Sequence, residues 1–301
     1  MKRMRMTFFY IVSCVWHKPI AWLASVFSGI PVFIPGKVIE LHNEIIGFGS
    51  TMCKISGEKW NNSPKNLMAR SVLYKLTETA TIYHRAICAL AKSGWASTAP
   101  VFLRALLDIY ASVLFIAEKE SNTRAAMYFN VMYMRSLQEP GLKTDQKKHN
   151  QEEINKTIGC LEIEEERQQA QRFVEQKKLG AYWFSAGSDY RSPSDILNKL
   201  SGFEFKDLYH ILSGSVHGAF LGSAIFKDKP DEISVNPRYD RQSACDAICY
   251  SSAILLRIYK QRCNYESLGK ERWSSKLFYG AMALAHRYGR IKNIRDTQIN
   301  S

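Results

Sequence analysis

Apolar residues recur at three- and four-residue steps along most of the chain, which is the period of helices packed on one face. Leu73, Leu76, Ala80, Tyr83, Ile87 and Leu90 form such a line. It predicts a long helix from Leu67 to Ala91, introduced by Asn62-Ser63-Pro64 as cap and first-turn proline and ended by Gly94. Ser97 or Thr98 then caps a second helix with Pro100 in its first turn, running through Val101 to Glu118. The few residues between these two helices predict an antiparallel pair. A third helix, Ser121 to Leu137, buries Met127, Val131 and Met134 and is stopped by Pro140-Gly141.

Between Lys143 and Lys178 the pattern changes to Gln, Glu and Lys with few large apolar side chains. This predicts an exposed helix or helical hairpin laced by i, i+4 charge pairs and broken near Gly159. Ala181 to Ser194 is a loop whose Tyr182, Trp183, Phe184 and Tyr190 are expected to lie on the body. Ser192-Pro193 opens a short helix toward Leu200. A short extended piece, Ile233-Ser234-Val235, lies between Pro230 and Pro237. Helices are expected again from Arg241 to Arg262, with Ala244, Ile248, Leu255 and Ile258 on one side, and from Glu271 to Tyr288. The expected fold class is all-α, a bundle of antiparallel long helices. Its expected parts are an N-terminal apolar extension and first helix (1–60), the bundle (61–265, with the polar insertion at 143–178), and a C-terminal helix and basic tail (266–301).

Composition supports one folded helical body: 46% of the 301 residues are hydrophobic and 23% charged, with no linker rich in Gly, Pro or Ser. The net charge of +13 is uneven, gathered at both ends of the chain. Lys2, Arg3 and Arg5 open it, and Arg287, Arg290 and Lys292 belong to the basic run that closes it. Expected partners are therefore RNA or another polyanion at the basic termini, or an acidic membrane surface. Residues 6–34 hold two apolar stretches split by His17-Lys18-Pro19, each too short to cross a bilayer as a helix, which leaves packed, interfacial, anchoring and cleaved readings open. Seven cysteines without a C-x-x-C pair fit a reducing compartment, so a cytoplasmic location is expected, with membrane association through residues 6–34 as the alternative. Cys245 and Cys249 share a helix face with no nearby histidine, so no metal site and no cofactor are expected. The chain carries no G-x-x-x-x-G-K-[ST] or H-E-x-x-H motif.

Polar chemistry concentrates in Phe205 to Gly222. On a helix, Tyr209, Ser213 and His217 fall at successive i, i+4 steps, with His210 one position round the same turn. The second helix carries Arg104 and Asp108 at the same spacing in an apolar segment. A guanidinium turned into a bundle needs acceptors, so Asp108 is expected to pair with it, and losing Asp108 alone should cost more than losing both. The set reads either as structural polar groups that satisfy each other or as a site.

The order Gly94, Arg104-Ala-Leu-Leu-Asp108, Trp183, Tyr209-x-x-Leu-Ser213-x-x-x-His217 resembles the bacterial helical family known as domain of unknown function 5677, over roughly Leu67 to Arg262. That family shows Arg-x-x-x-Glu where this chain has Asp108, and its name implies no reaction. A more distant likeness is to the HEPN group (higher eukaryotes and prokaryotes nucleotide-binding). That likeness implies a homodimer and a metal-independent ribonuclease of the defence or toxin kind, with Arg-x(4 to 6)-His on one helix. None of the seven histidines here follows an arginine at that spacing. His217 as base and Arg104 as phosphorane-stabilising cation, oriented by Asp108, would have to supply the chemistry, with Tyr209, His210 and Ser213 binding the phosphate. The competing expectation is a non-catalytic module for a nucleotide, nucleic acid or partner, with Arg287, Arg290 and Lys292 as polyanion contacts; a membrane-attached scaffold is the third.

Overall fold

In the computed structural model, which describes residues 34–62, 66–138, 141–175, 183–185, 188–201, 205–216 and 241–288, every regular element is helical. The helices are α1 (Gly36–Asn62), α2 (Leu67–Lys92), α3 (Ala99–Glu118), α4 (Ser121–Leu137), α5 (Thr144–Gly159), α6 (Glu164–Val174), α7 (Pro193–Ile196), α8 (Lys206–Val216), α9 (Arg241–Glu266) and α10 (Glu271–Tyr288). Short 3-10 turns occupy Ala96–Thr98 and Trp183–Ser185, and a π turn extends α7 over Leu197–Ser201. The apolar stretches up to residue 33 and the Ile233-Ser234-Val235 piece lie outside the described residues.

The centre is made by α2, α3 and α9, each packed on the other two. Ala253, Ile254, Leu255, Leu256, Ile258 and Tyr259 are all buried, so α9 is covered on every side. The α1 and α10 helices pack on α9, and α8 packs on α3. Among the described residues, only Ala99–Glu118 is long and apolar enough to cross a bilayer, and 67% of that stretch is buried inside the bundle. It is the core helix of this fold. One contact is unusually close: a Cβ added to Gly49 on α1 would lie 2.2 Å from the Tyr259 hydroxyl, so only glycine lets α1 approach α9 there.

The helix ends show what local sequence dictates and what it does not. After α2, the Trp95 N–H donates to the Leu90 carbonyl (2.8 Å) and the Gly94 N–H to Ala91 (3.3 Å), with Gly94 at φ 82°. That is the paired closure expected of a left-handed glycine at a helix end. The start of α2 falls at Leu67 as expected, but its cap does not: Asn62 still belongs to α1, and Pro64 lies outside the described residues. Asn66 takes the left-handed conformation, and the free Ala69 N–H donates to Asn122 Oδ1 of α4 (3.2 Å). The cap is supplied across the bundle.

The polar insertion forms the expected hairpin, α5 and α6, but it is not free-standing. Ile154, Ile158, Ala170 and Phe173 are buried, and both helices pack on α4. The aromatic loop folds onto the body: Trp183 and Tyr190 meet the Phe115 ring edge-on at 5.2 and 5.8 Å, while Tyr182 lies outside the described residues. Arg124 lies over the other side of this group, 3.8 Å from the Phe115 ring centre, and pairs with Glu118 at 2.7 Å.

Candidate functional site

Arg104 projects from α3 to α8, where it meets two of the residues in the Tyr209 stripe. Its Nε donates to Ser213 Oγ (3.0 Å), one Nη donates to the Tyr209 hydroxyl, and the guanidinium lies 3.6 Å from the centre of the Tyr209 ring. The other Nη pairs with Asp108 Oδ2 by proximity, though its N–H bonds are not aligned on the carboxylate. Ser213 Oγ in turn donates to the Tyr209 carbonyl (2.8 Å). One guanidinium therefore ties α8 to α3 through a hydroxyl, a phenol and a ring face, each of which is stronger with a delocalised planar cation than with lysine.

The pair is less sealed than the apolar sequence around it suggests. Arg104 keeps 14% of its side-chain surface exposed and Asp108 45%. The carboxylate therefore reaches solvent, and Arg104 has Ser213 and Tyr209 as partners besides it, so Asp108 is not the sole partner of the guanidinium.

His210 departs from the stripe. One residue beyond Tyr209 is a rotation of about 100° on a helix, and its ring turns outward, exposed, with Nε2 3.0 Å from Ser194 Oγ of α7. His217 lies outside the described residues, as do Arg290 and Lys292. The structure thus brings Arg104, Asp108, Tyr209 and Ser213 together and directs His210 elsewhere. A surface groove of about 560 Å³, lined by residues of α5 and α6 such as Ile158, Arg167 and Arg172, shares no residue with this cluster.

A second candidate surface is the outer face of α10. Ser274, Phe278, Ala281 and Ala285 are buried, with Ser274 Oγ donating to the Leu256 carbonyl of α9 (2.7 Å). The opposite face exposes Arg272, Trp273, Lys276, Tyr279, Ala283 and Arg287. At 100° per residue these six fall within an arc of about 120°. Trp273 is 57% exposed and Tyr279 70%, and Lys276 Nζ sits 5.7 Å from the Trp273 ring centre. The single acid of α10, Glu271, lies outside the arc. Arg287 was legible as part of the basic run. Arg272 and Lys276 belong to the same run; Trp273 and Tyr279 were not singled out, although large aromatics placed among the polar positions of an amphipathic helix are a readable signal.

Fold and surfaces define an all-α bundle protein with an internal arginine clamp and a basic, aromatic terminal helix. The chain belongs to the Family of unknown function (DUF5677), whose model matches residues 73–233. The match takes in Arg104, Asp108, Trp183, Tyr209, Ser213 and His217, and stops short of the Arg262 boundary expected from the motifs; α1, α9 and α10 lie beyond it. The likeness to the HEPN group is not shown by it. No curated protein and no solved structure matches the chain.

Proposed function

We propose that the chain is a non-catalytic module that binds single-stranded nucleic acid along the exposed face of α10, continued by Arg290 and Lys292. The observation that carries this reading is the interleaving of Trp273 and Tyr279 with Arg272, Lys276 and Arg287 on one acid-free arc. Every base offers a π-face to an aromatic side chain, and every nucleotide offers a phosphate to a cation, so such a stripe binds without reading sequence. The net charge of +13 favours the same class of partner. On this reading the Arg104 clamp is structural: two of its nitrogens donate within the bundle, to Ser213 and Tyr209, and Asp108 lies beside the third as counter-charge.

Fluorescence anisotropy with a labelled single-stranded oligo(U) RNA, over a range of salt, tests it. Trp273→Ala and Tyr279→Ala should each weaken binding by about 1–3 kcal/mol. Lys276→Ala and Arg287→Ala should each flatten the log–log salt slope by roughly 0.7 per lost phosphate contact. Affinity no tighter than that of an unrelated protein of equal charge would overturn the reading. A stripe that docks a second copy would show instead as an oligomer lost in Trp273→Ala. RNA cut in the presence of chelator, and left whole by His217→Ala, would replace the reading with that of a metal-independent nuclease.

A further inference from the structure

Where α2 meets α1 and α9, two histidines and a cysteine converge from two helices. His84 and Cys88 stand at i, i+4 on α2, and His42 reaches them from α1. His42 Nδ1 is 2.9 Å from His84 Nε2 and 3.2 Å from Cys88 Sγ, and His84 Nε2 is 3.8 Å from the same sulfur. Three atoms bound to one tetrahedral zinc ion, at about 2.0–2.1 Å for nitrogen and about 2.3 Å for sulfur, stand about 3.3 Å (N···N) and about 3.6 Å (N···S) apart. The observed triangle is within about 0.4 Å of that on each side.

The surrounding hydrogen bonds fix which nitrogen faces the centre. Ser251 Oγ of α9 donates its proton to the Ile248 carbonyl (3.0 Å), so toward His84 Nδ1 (2.8 Å) it is an acceptor. His84 therefore carries its proton on Nδ1 and turns the Nε2 lone pair toward His42 and Cys88, the arrangement in which a second hydrogen bond orients a metal-ligating imidazole. His84 and Cys88 are buried and His42 is half-buried.

We propose that His42, His84 and Cys88 bind one zinc-class transition-metal ion, with the fourth position left to water or an exogenous ligand. In the metal-free chain His42 Nδ1–H donates to the His84 lone pair; on binding, the Cys88 thiol gives its proton to solvent and ligates as thiolate, and His42 exchanges its Nδ1 proton for one on Nε2 through solvent, so that Nδ1 is free to ligate. The donor set of two imidazoles and one thiolate suits zinc and cobalt, and it disfavours magnesium and calcium, which take oxygen ligands. The pair Cys245 and Cys249, which the sequence brings to one helix face, packs in the same small apolar cluster as Cys88. It supplies the soft, dry surroundings of the site and leaves the ligation to the other three.

Cobalt titration of chelator-treated full-length protein is the test, with zinc content per chain measured in parallel. The expected result is one metal per chain, the visible bands of tetrahedral cobalt, and a near-ultraviolet thiolate-to-cobalt band that Cys88→Ser removes. Ser251→Ala, which frees the orienting hydrogen bond, should weaken zinc about 10–100-fold. Zinc should raise the melting temperature of the wild-type chain and not that of His42→Ala, whose half-buried position spares the core. No cobalt spectrum in the wild-type chain overturns the proposal. So does a spectrum that persists in Cys88→Ser or, if that variant fails to fold, one that persists in His42→Ala.

Discussion

Two arginine–carboxylate pairs with the same i, i+4 spacing sit in this bundle, and the structure treats them in opposite ways. Arg262 and Glu266 on α9 are sealed, at 0% and 2% side-chain exposure, and Ser56 of α1 closes the triangle by accepting from Arg262 (2.7 Å) and donating to Glu266. Arg104 and Asp108 on α3 are open at the acidic end, and the arginine leans on neutral hydroxyls and a ring face instead. Spacing makes a pair possible, and the neighbouring helices decide whether it is structural capital or a surface decoration. In the sealed pair both charges depend on each other; in the open pair the cation has partners to spare.

The largest expected effect comes from breaking the sealed pair. Glu266→Ala should destabilise the protein by about 3–5 kcal/mol in urea unfolding, because it leaves the buried Arg262 guanidinium with only uncharged partners, the Ser56 hydroxyl, the Cys53 sulfur and the Tyr74 ring. Arg262→Met with Glu266→Leu should recover most of that loss. A single variant as stable as the wild type would show that the triangle carries no stability and would remove the contrast.

Glu118 provides an intermediate case. Burial raises its pKa, but the hydrogen bonds and charge of Arg124, with the Tyr190 hydroxyl, more than offset this and hold it below the usual glutamate range. Its contribution is therefore present above the unfolded pKa of about 4.3 and is lost as pH falls through the lower folded value. The stability gap between wild type and Glu118→Gln should be about 1 kcal/mol near neutrality and should close on acidification. A gap that widens below pH 4 (about the unfolded value) would reverse the sign and refute the pairing.

Smallest is the open pair. Asp108→Ala should cost less than about 1 kcal/mol, in line with a carboxylate that water already reaches. The same measurement on Arg104→Ala should give more, since Ser213 and Tyr209 lose their shared donor. Equal losses for the two variants would mean that the carboxylate, and not α8, is what Arg104 holds.

Helix positions were legible because their periodicity is local. Ser121–Leu137 and Glu271–Tyr288 follow the sequence pattern to the residue, as does the α5–α6 break at Gly159. The meeting of Arg104 with the Tyr209–Ser213 stripe was also readable, since buried polar groups on neighbouring helices must satisfy one another. What sequence hid was everything set by a third helix. Helix α9 was expected to end at Arg262, which left Glu266 among the charges of the tail; one further turn turns it inward. Asn66 gave no sign of its cap because the donor's partner, Asn122, belongs to α4. His84 and Cys88 share a helix face, but an i, i+4 pair becomes a triangle only when α1 delivers His42. Asp108 sits in an apolar run, and nothing in that run says where the edge of the bundle falls.

The central place of α9 has a consequence in time. Ribosomes add about 5–20 residues per second, and Arg262 must close on Ser56 across 206 residues of chain. For about 10–40 s, then, α1 exists without the helix that covers it, and α2 and α3 wait for a large part of that time. During that interval the nascent protein shows a broad oily flank to water or to a chaperone. Its assembly waits for a late helix, which slides into a slot that the early helices have had to keep clean.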